Sequence, residues 1–172
     1  MPELIAPTVR LHAAFVECRD DWGPGAHEDG FGLGEDDDVH SAEGFAAWVR
    51  RRLENTHPVG TPCPEHQHAS LRWIVEDGKV QGGIALRHRY DDDLGQIGYG
   101  VRPSARGRGL ATWALAQMLR EARTTLGLDR VLIPCLADNV ASARTIERNG
   151  GVLEGIRDTG QLKVRRYWVT LA

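Results

Sequence analysis

The sequence predicts an α/β fold, and three observations lead to it: two N-terminal segments with apolar residues at helical spacing, a hairpin signal in the middle, and strands alternating with helices from Gln96 onward. Leu11 to Trp22 places Leu11, Ala14, Phe15 and Cys18 on one helical face. Ser41 to Glu54 does the same with Phe45, Trp48, Val49 and Leu53, behind a Ser41 cap. Between them Gly23 to Asp38, rich in glycine and acid, reads as a mobile loop, and Thr56 to His68, with Pro58, Pro62 and Pro64, reads as another. Leu71 to Glu76 and Lys79 to Leu86 read as a hairpin, because Asp77-Gly78 tolerates the positive φ of a tight turn. Gln96 to Val101 is a strand whose Gly98 and Gly100 are costly unless another chain or a ligand approaches the backbone. A helix from Gly109 to Leu126 packs Leu110, Ala114, Leu115, Met118, Leu119, Ala122 and Leu126 on one face; Arg130 to Leu136 is a strand, and Asp138 opens a short helix ending at Gly150.

Composition narrows the function classes. A chain of 172 residues has the size of one domain, here 1–172, and can bury about two thirds of its unfolded surface. Cys18, Cys63 and Cys135 are odd in number and form no C-x-x-C pair, which suits a reducing cytoplasm. No charged start followed by an apolar run is present, and no apolar segment is long enough to span a bilayer, so neither secretion nor a membrane location is expected. A net charge of -3 argues against a dedicated nucleic-acid binder. Cys63, His66 and His68 lie close together but lack a matching second pair, so a metal site is a minor alternative and no metal is expected.

The most informative stretch is Val101 to Thr112, a basic glycine-rich turn before a helix. The first N–H groups of a helix have no intrahelical partner and sit at the positive end of its dipole, so they suit an anion. Gly107 and Gly109 bare the amides, and Arg102, Arg106 and Arg108 add charge. A Walker A lysine is absent; a dinucleotide fingerprint starts at Gly107 and Gly109 but meets Thr112 where its third glycine belongs, which leaves it a second reading only. A basic helix start without a ligand is the plain alternative.

Arg106-x-x-Gly109-x-Ala111 resembles the pyrophosphate motif of the GNAT superfamily of acyl-CoA N-acyltransferases. Asn139-x-x-Ser142, followed by Glu147 and Gly150, resembles that family's second acyl-CoA motif, and the likeness runs from Ile74 to Trp168. The wording around both motifs is similar to a bacterial subgroup of acetyltransferases without an assigned substrate. The resemblance implies a GNAT fold: a mixed, twisted sheet of about six or seven strands, its central strands splayed, with helices on its flanks. It also implies acetyl-CoA as cosubstrate, a small-molecule primary amine as acceptor, direct transfer with both bound, and a homodimer as one assembly. Pro134, lacking an N–H, fits incomplete pairing at the splay.

The resemblance assigns acetyl-CoA to Tyr99, Gly100, Val101, Arg106, Gly107, Arg108, Gly109, Leu110, Ala111, Thr112, Asn139, Ser142 and Arg144. Asn139 can equally be a helix cap, and Arg144 a solvated charge. The chain departs from the common family pattern in two places: Ile146 stands where a tyrosine often protonates the thiolate, and Gln96 where a glutamate often stands. Ser142 or water can supply the acid; His88 is the first candidate base, with Tyr99 and loop acids as others. Glu28, Asp29, Asp36, Trp22 and Trp48 are candidates for a cationic acceptor pocket, suited to a polyamine, a lysine-like molecule or an aminoglycoside such as a kasugamycin-type aminosugar. The acidic run Glu35 to Asp38 also reads as an ordinary solvated loop. A protein N-terminus or lysine is a competing acceptor class, and the two missing residues keep open a non-catalytic acyl-CoA sensor.

Overall fold

The computed structural model describes residues 1–25, 27–56 and 68–172. Its strands are β1 (Glu3–Ile5), β2 (Ala69–Glu76), β3 (Lys79–Arg87), β4 (Ile97–Val101), β5 (Arg130–Leu136), β6 (Val152–Asp158) and β7 (Lys163–Thr170). Its helices are α1 (His12–Trp22), α2 (Ala42–Glu54), α3 (Leu110–Leu126) and α4 (Val140–Arg148). The expected elements are present; β1, only three residues long, carries no periodic signal and forms by pairing with β2 from Glu3↔Val75 to Ile5↔Trp73.

Local chemistry fixes the ends. Ser41 Oγ caps α2 by accepting the Gly44 N–H at 3.0 Å. Asp77 (φ 51°) and Gly78 (φ 74°) make the β2–β3 turn, both left-handed as a two-residue hairpin of this type requires. Gly127 (φ 65°) stops α3 while its N–H and that of Leu128 cap the last carbonyls.

The strands form two ladders, β1-β2-β3-β4 and β5-β7-β6, each antiparallel throughout. They meet where β4 starts: Gln96 N–H donates to Leu132 O at 2.8 Å, and Leu132 N–H donates to Gln96 Oε1 at 3.2 Å. The second bond spends a side-chain amide where a ladder would use a carbonyl. Pro134, two residues beyond Leu132 and so facing the same edge, has no N–H to continue the pairing. The strands then diverge, which is the expected splay.

Side-chain alternation along β2 feeds two cores. Leu71, Trp73 and Val75 join Phe15, Phe31, Phe45 and Trp48 beneath α1 and α2; Ile74 joins Ile84, Leu86, Leu115, Met118 and Tyr167 beneath α3. Trp48 is fully buried, stacked on Trp73 at 6.3 Å and near Phe15 at 5.2 Å. Its expected acceptor role therefore gives way to a core role, because it lies on the apolar stripe of α2 with Phe45 and Val49. Among the described residues no helix is long and apolar enough to cross a membrane.

Candidate functional site

A cleft of about 550 Å³ opens where β4 and β5 part, walled by the start of α3 on one side and α4 on the other. Gly98, Tyr99, Gly100, Val101, Arg106, Gly107, Gly109, Leu110, Ala111, Thr112, Asn139, Ser142 and Arg144 line it, together with Glu28. Most of the residues expected to hold acyl-CoA are thus brought together.

The turn before α3 is shaped by two left-handed glycines, Gly107 (φ 76°) and Gly109 (φ 78°). A Cβ at either would meet open space, so backbone conformation rather than crowding demands glycine there. The first helical bond of α3 is Trp113 N–H to Gly109 O at 3.0 Å, so Leu110, Ala111 and Thr112 direct N–H groups outward without a preceding turn to bind them.

The three arginines of the turn separate. Arg106 lines the cleft, its Nε–H donating to Val101 O at 2.9 Å. Arg102, expected to add charge for a phosphate, is buried and instead ties α1 to the turn: Nη2 meets Glu17 at 3.1 Å and Nε meets Asp21 at 3.3 Å. Asp21 also accepts the Ser104 N–H at 2.9 Å, and that bond, with Arg102 beside it, holds its carboxyl below the usual range. Arg108 turns to Glu76 at 2.5 Å and does not line the cleft. Sequence reading missed Arg148, which faces the cleft one helical turn after Arg144; the four-residue spacing was its signal.

The edges of β4 are assigned by its bonds. Arg87 N–H donates to Gln96 O at 2.7 Å and Arg102 N–H to Gln81 O at 2.8 Å, so within β4 the even-numbered residues Gly98 and Gly100 address β3, while Gln96 turns its carbonyl to β3 and its N–H to β5. By alternation the main-chain groups of Tyr99 and Val101 face the cleft, and Val101 O already meets Arg106 there. The Tyr99 hydroxyl, on the α4 side, shares a 2.8 Å hydrogen bond with Ser142 Oγ. Burial pushes the Tyr99 phenol well above its ordinary range, which keeps it protonated. Cys135, also in the lining and not anticipated as a site residue, has its thiol raised by burial. Asn139 Oδ1 accepts the Ser142 N–H at 3.0 Å, so the asparagine does cap α4 while lining the cleft.

Several other expectations change. His88 is buried beside β2, hydrogen-bonded with Ser70 Oγ at 2.8 Å and stacked near His68 at 6.2 Å, outside the cleft lining. Ile146 points into the core, fully buried, so position 146 of this chain offers nothing to the cleft. Gln96 is the clasp between the ladders. Trp22 packs edge-on to Phe31 at 6.0 Å, Asp29 is buried against Arg19, and Asp36 is exposed; none lines the cleft. The acidic run serves α2 instead: Asp37 pairs with Arg51 at 2.8 Å, and Asp38 accepts the Ser41 N–H at 3.1 Å. Cys63 and His66 lie outside the described residues, and among those described no group of His, Cys, Asp or Glu is placed to hold a metal.

The close approach to Gly98 and Gly100 comes from the chain itself. A Cβ on Gly100 would lie 2.4 Å from Glu28 O and 2.6 Å from Asp29 Cα, and one on Gly98 would lie 2.8 Å from Glu28 Oε1. The loop between α1 and α2 is seated on β4, and it delivers Glu28 to the cleft. Desolvation raises the Glu28 carboxyl above its ordinary range, against the opposing positive charge of Arg87 on β3 and with Asp29 adding like charge, although the residue stays exposed to solvent.

Comparison with known proteins fits this geometry. No curated protein matches the chain in sequence. Among solved structures, a ribosomal L7/L12 alpha-N-protein acetyltransferase in complex with coenzyme A superposes with a TM-score of 0.71 at 19% identity, covering 99% of this chain and 94% of that one. The microcin C7 self-immunity acetyltransferase, in complex with acetyl-CoA and AMP, gives 0.68 at 16% identity, covering 98% and 92%. A ribosomal-protein-S5-alanine acetyltransferase from Vibrio fischeri gives 0.70 at 15%, covering 99% and 93%. At such identities these likenesses establish the fold. The family model described as an acetyltransferase (GNAT) domain matches residues 26–152, which takes in the seated loop, the glycine turn and both walls of the cleft, and the chain therefore belongs to the GNAT acetyltransferases.

Proposed function

We propose that this protein transfers the acetyl group of acetyl-CoA directly to a primary amine, with both substrates bound in the cleft between β4 and β5. The observation that carries this reading is the turn before α3, whose bare N–H groups at Leu110, Ala111 and Thr112 stand beside Arg106 and suit a diphosphate. Arg144 and Arg148 on the facing helix add positive charge for the nucleotide end. The edge of β4 that faces away from β3 offers the Tyr99 main-chain groups and the Val101 N–H to the amide-bearing arm of the carrier, in the manner of an added strand, the Val101 carbonyl being held by Arg106. Acetyl-CoA would supply the activated thioester; the protein's part is to hold the reacting atoms together, an advantage worth up to about 7–11 kcal/mol.

Within that frame the Tyr99 N–H is the donor for the thioester oxygen as negative charge grows on it. The hydrogen-bonded Tyr99 and Ser142 hydroxyls are the proton donors for the departing sulfur, and both stay protonated at neutral pH. The acceptor is a small cationic amine, drawn by Glu28, the acid of the cleft lining. Support for an aminosugar in particular is weak, since neither Trp22 nor Trp48 reaches the cleft to stack on a sugar. A protein N-terminus is the second reading, favoured by the names of the ribosomal-protein acetyltransferases that share the fold.

Release of free thiol from acetyl-CoA, measured against spermidine, lysine, kanamycin and a serine-first peptide, tests the proposal. Turnover with a small amine supports it and turnover with the peptide alone selects the second reading. Acetyl-CoA binding with no thiol released in any mixture leaves the protein a sensor.

A further inference from the structure

We infer that Glu28 is the general base of the transfer, held in place by a loop that the glycines of β3 and β4 are there to receive. This rests on the acetyl-transfer reading above and assigns the proton acceptor within that site.

The seat is built from missing side chains. Gly30 (φ 74°) presses on β3 so closely that a Cβ there would stand 2.0 Å from Gly83 O. A Cβ on Gly83 would strike the Phe31 ring at 2.6 Å, and Gly100 leaves room for the backbone of Glu28 and Asp29. Immediately after Glu28 the loop is locked: Asp29 pairs with Arg19 and accepts the Phe31 N–H at 2.9 Å, and Phe31 is fully buried against Phe15 at 4.8 Å. Glu28 is thus the first residue outward of a fixed anchor, whereas Asp37 and Asp38 of the run beyond it are engaged with Arg51 of α2 and with its cap Ser41. Its Oε1 lies over Gly98, one residue from the Tyr99 N–H that faces the cleft.

A carboxylate in that position meets an ammonium approaching a carbonyl bound at Tyr99. Converting an ammonium to an amide removes two protons from nitrogen. One passes to Glu28 and from it to solvent, freeing the lone pair; the N–C bond then forms at the thioester carbon as the C–S bond breaks. The second proton ends on sulfur, which leaves as a thiol. The elevated affinity of Glu28 for a proton makes it a better base than an ordinary surface carboxylate. The residues of the α1–α2 loop are long separated in sequence from β4, so spacing alone does not reveal the pairing.

The test compares wild type, Glu28→Gln and Gly98→Ala in thiol release from acetyl-CoA across pH, with water alone and with the four acceptors named above, alongside calorimetric binding of acetyl-CoA. Glu28→Gln should lower kcat/KM by about 100-fold or more and erase the acidic limb of the profile, with acetyl-CoA affinity kept within about twofold. Gly98→Ala, whose new methyl meets the Glu28 carboxylate, should lower kcat about tenfold without unfolding the protein. Activity of Glu28→Gln within about threefold of wild type, with the limb retained, overturns the assignment, whereas a wild type that binds acetyl-CoA and releases no thiol overturns the acetyl-transfer reading on which the assignment rests. A wild type that fails to bind acetyl-CoA overturns the acetyl-transfer reading itself, a result separable from the others by the calorimetry.

Discussion

Arg102, Arg106 and Arg108 share one turn and read alike in sequence, yet each has a different task because its partner comes from a different part of the chain. Arg102 holds Glu17 and Asp21, Arg108 holds Glu76, and Arg106 is left for the cleft. Arg108→Ala should therefore change acetyl-CoA affinity by less than about threefold, measured by calorimetry, since an exposed ion pair contributes little. Arg102→Ala should destabilise the fold by about 1–3 kcal/mol in chemical denaturation, because it strips partners from the α1 carboxylates and leaves the Val80 carbonyl, 3.4 Å from Nη1, without its donor. Glu28 acts only when ionised, and its carboxyl is raised from an ordinary 4.5, so activity should fall as pH drops through a midpoint above that value; a limb at or below it would contradict the desolvated setting.

At the scale of elements, the glycines divide into two kinds. Gly107 and Gly109 are required by left-handed φ with open space around them, whereas Gly100 is required by the backbone of an approaching loop with ordinary φ, and Gly98 leaves room for the Glu28 carboxylate. Alanine at 107 or 109 should cost about 1–2 kcal/mol of stability and weaken acetyl-CoA binding, while alanine at Gly155, where a Cβ meets nothing, should do neither in the same thermal and calorimetric assays. Helices and strands were legible in sequence because period and turn chemistry are local: Ser41, Asp77-Gly78 and the apolar face of α3 lie where expected. The glycine turn and helix start that suit an anion were legible for the same reason, being local in sequence. What resisted reading were side chains whose surroundings are assembled from afar. Trp48 looks like a stacking platform until the α2 stripe meets Trp73, and His88 looks like a base until β2 brings Ser70 to it. Glu28 resembles its acidic neighbours until β3 and β4 supply the glycine seat.

For the whole molecule, two ladders meet at one residue and part below it. Gln96 joins them through both its main chain and its amide, while Pro134 prevents the join from extending. Gln96→Ala should lower stability by about 1–3 kcal/mol, read by thermal denaturation, since it leaves the buried Leu132 N–H without an acceptor. That architecture makes the cleft a fixed opening in the sheet, with a cationic turn on one wall and a seated carboxylate near its mouth. Its most direct test is calorimetric titration of acetyl-CoA into the wild type and Arg106→Glu. Saturable one-site binding, weakened by about tenfold or more when the charge is reversed, is the predicted result. Absence of heat in the wild type, or equal affinity in the two proteins, would contradict it.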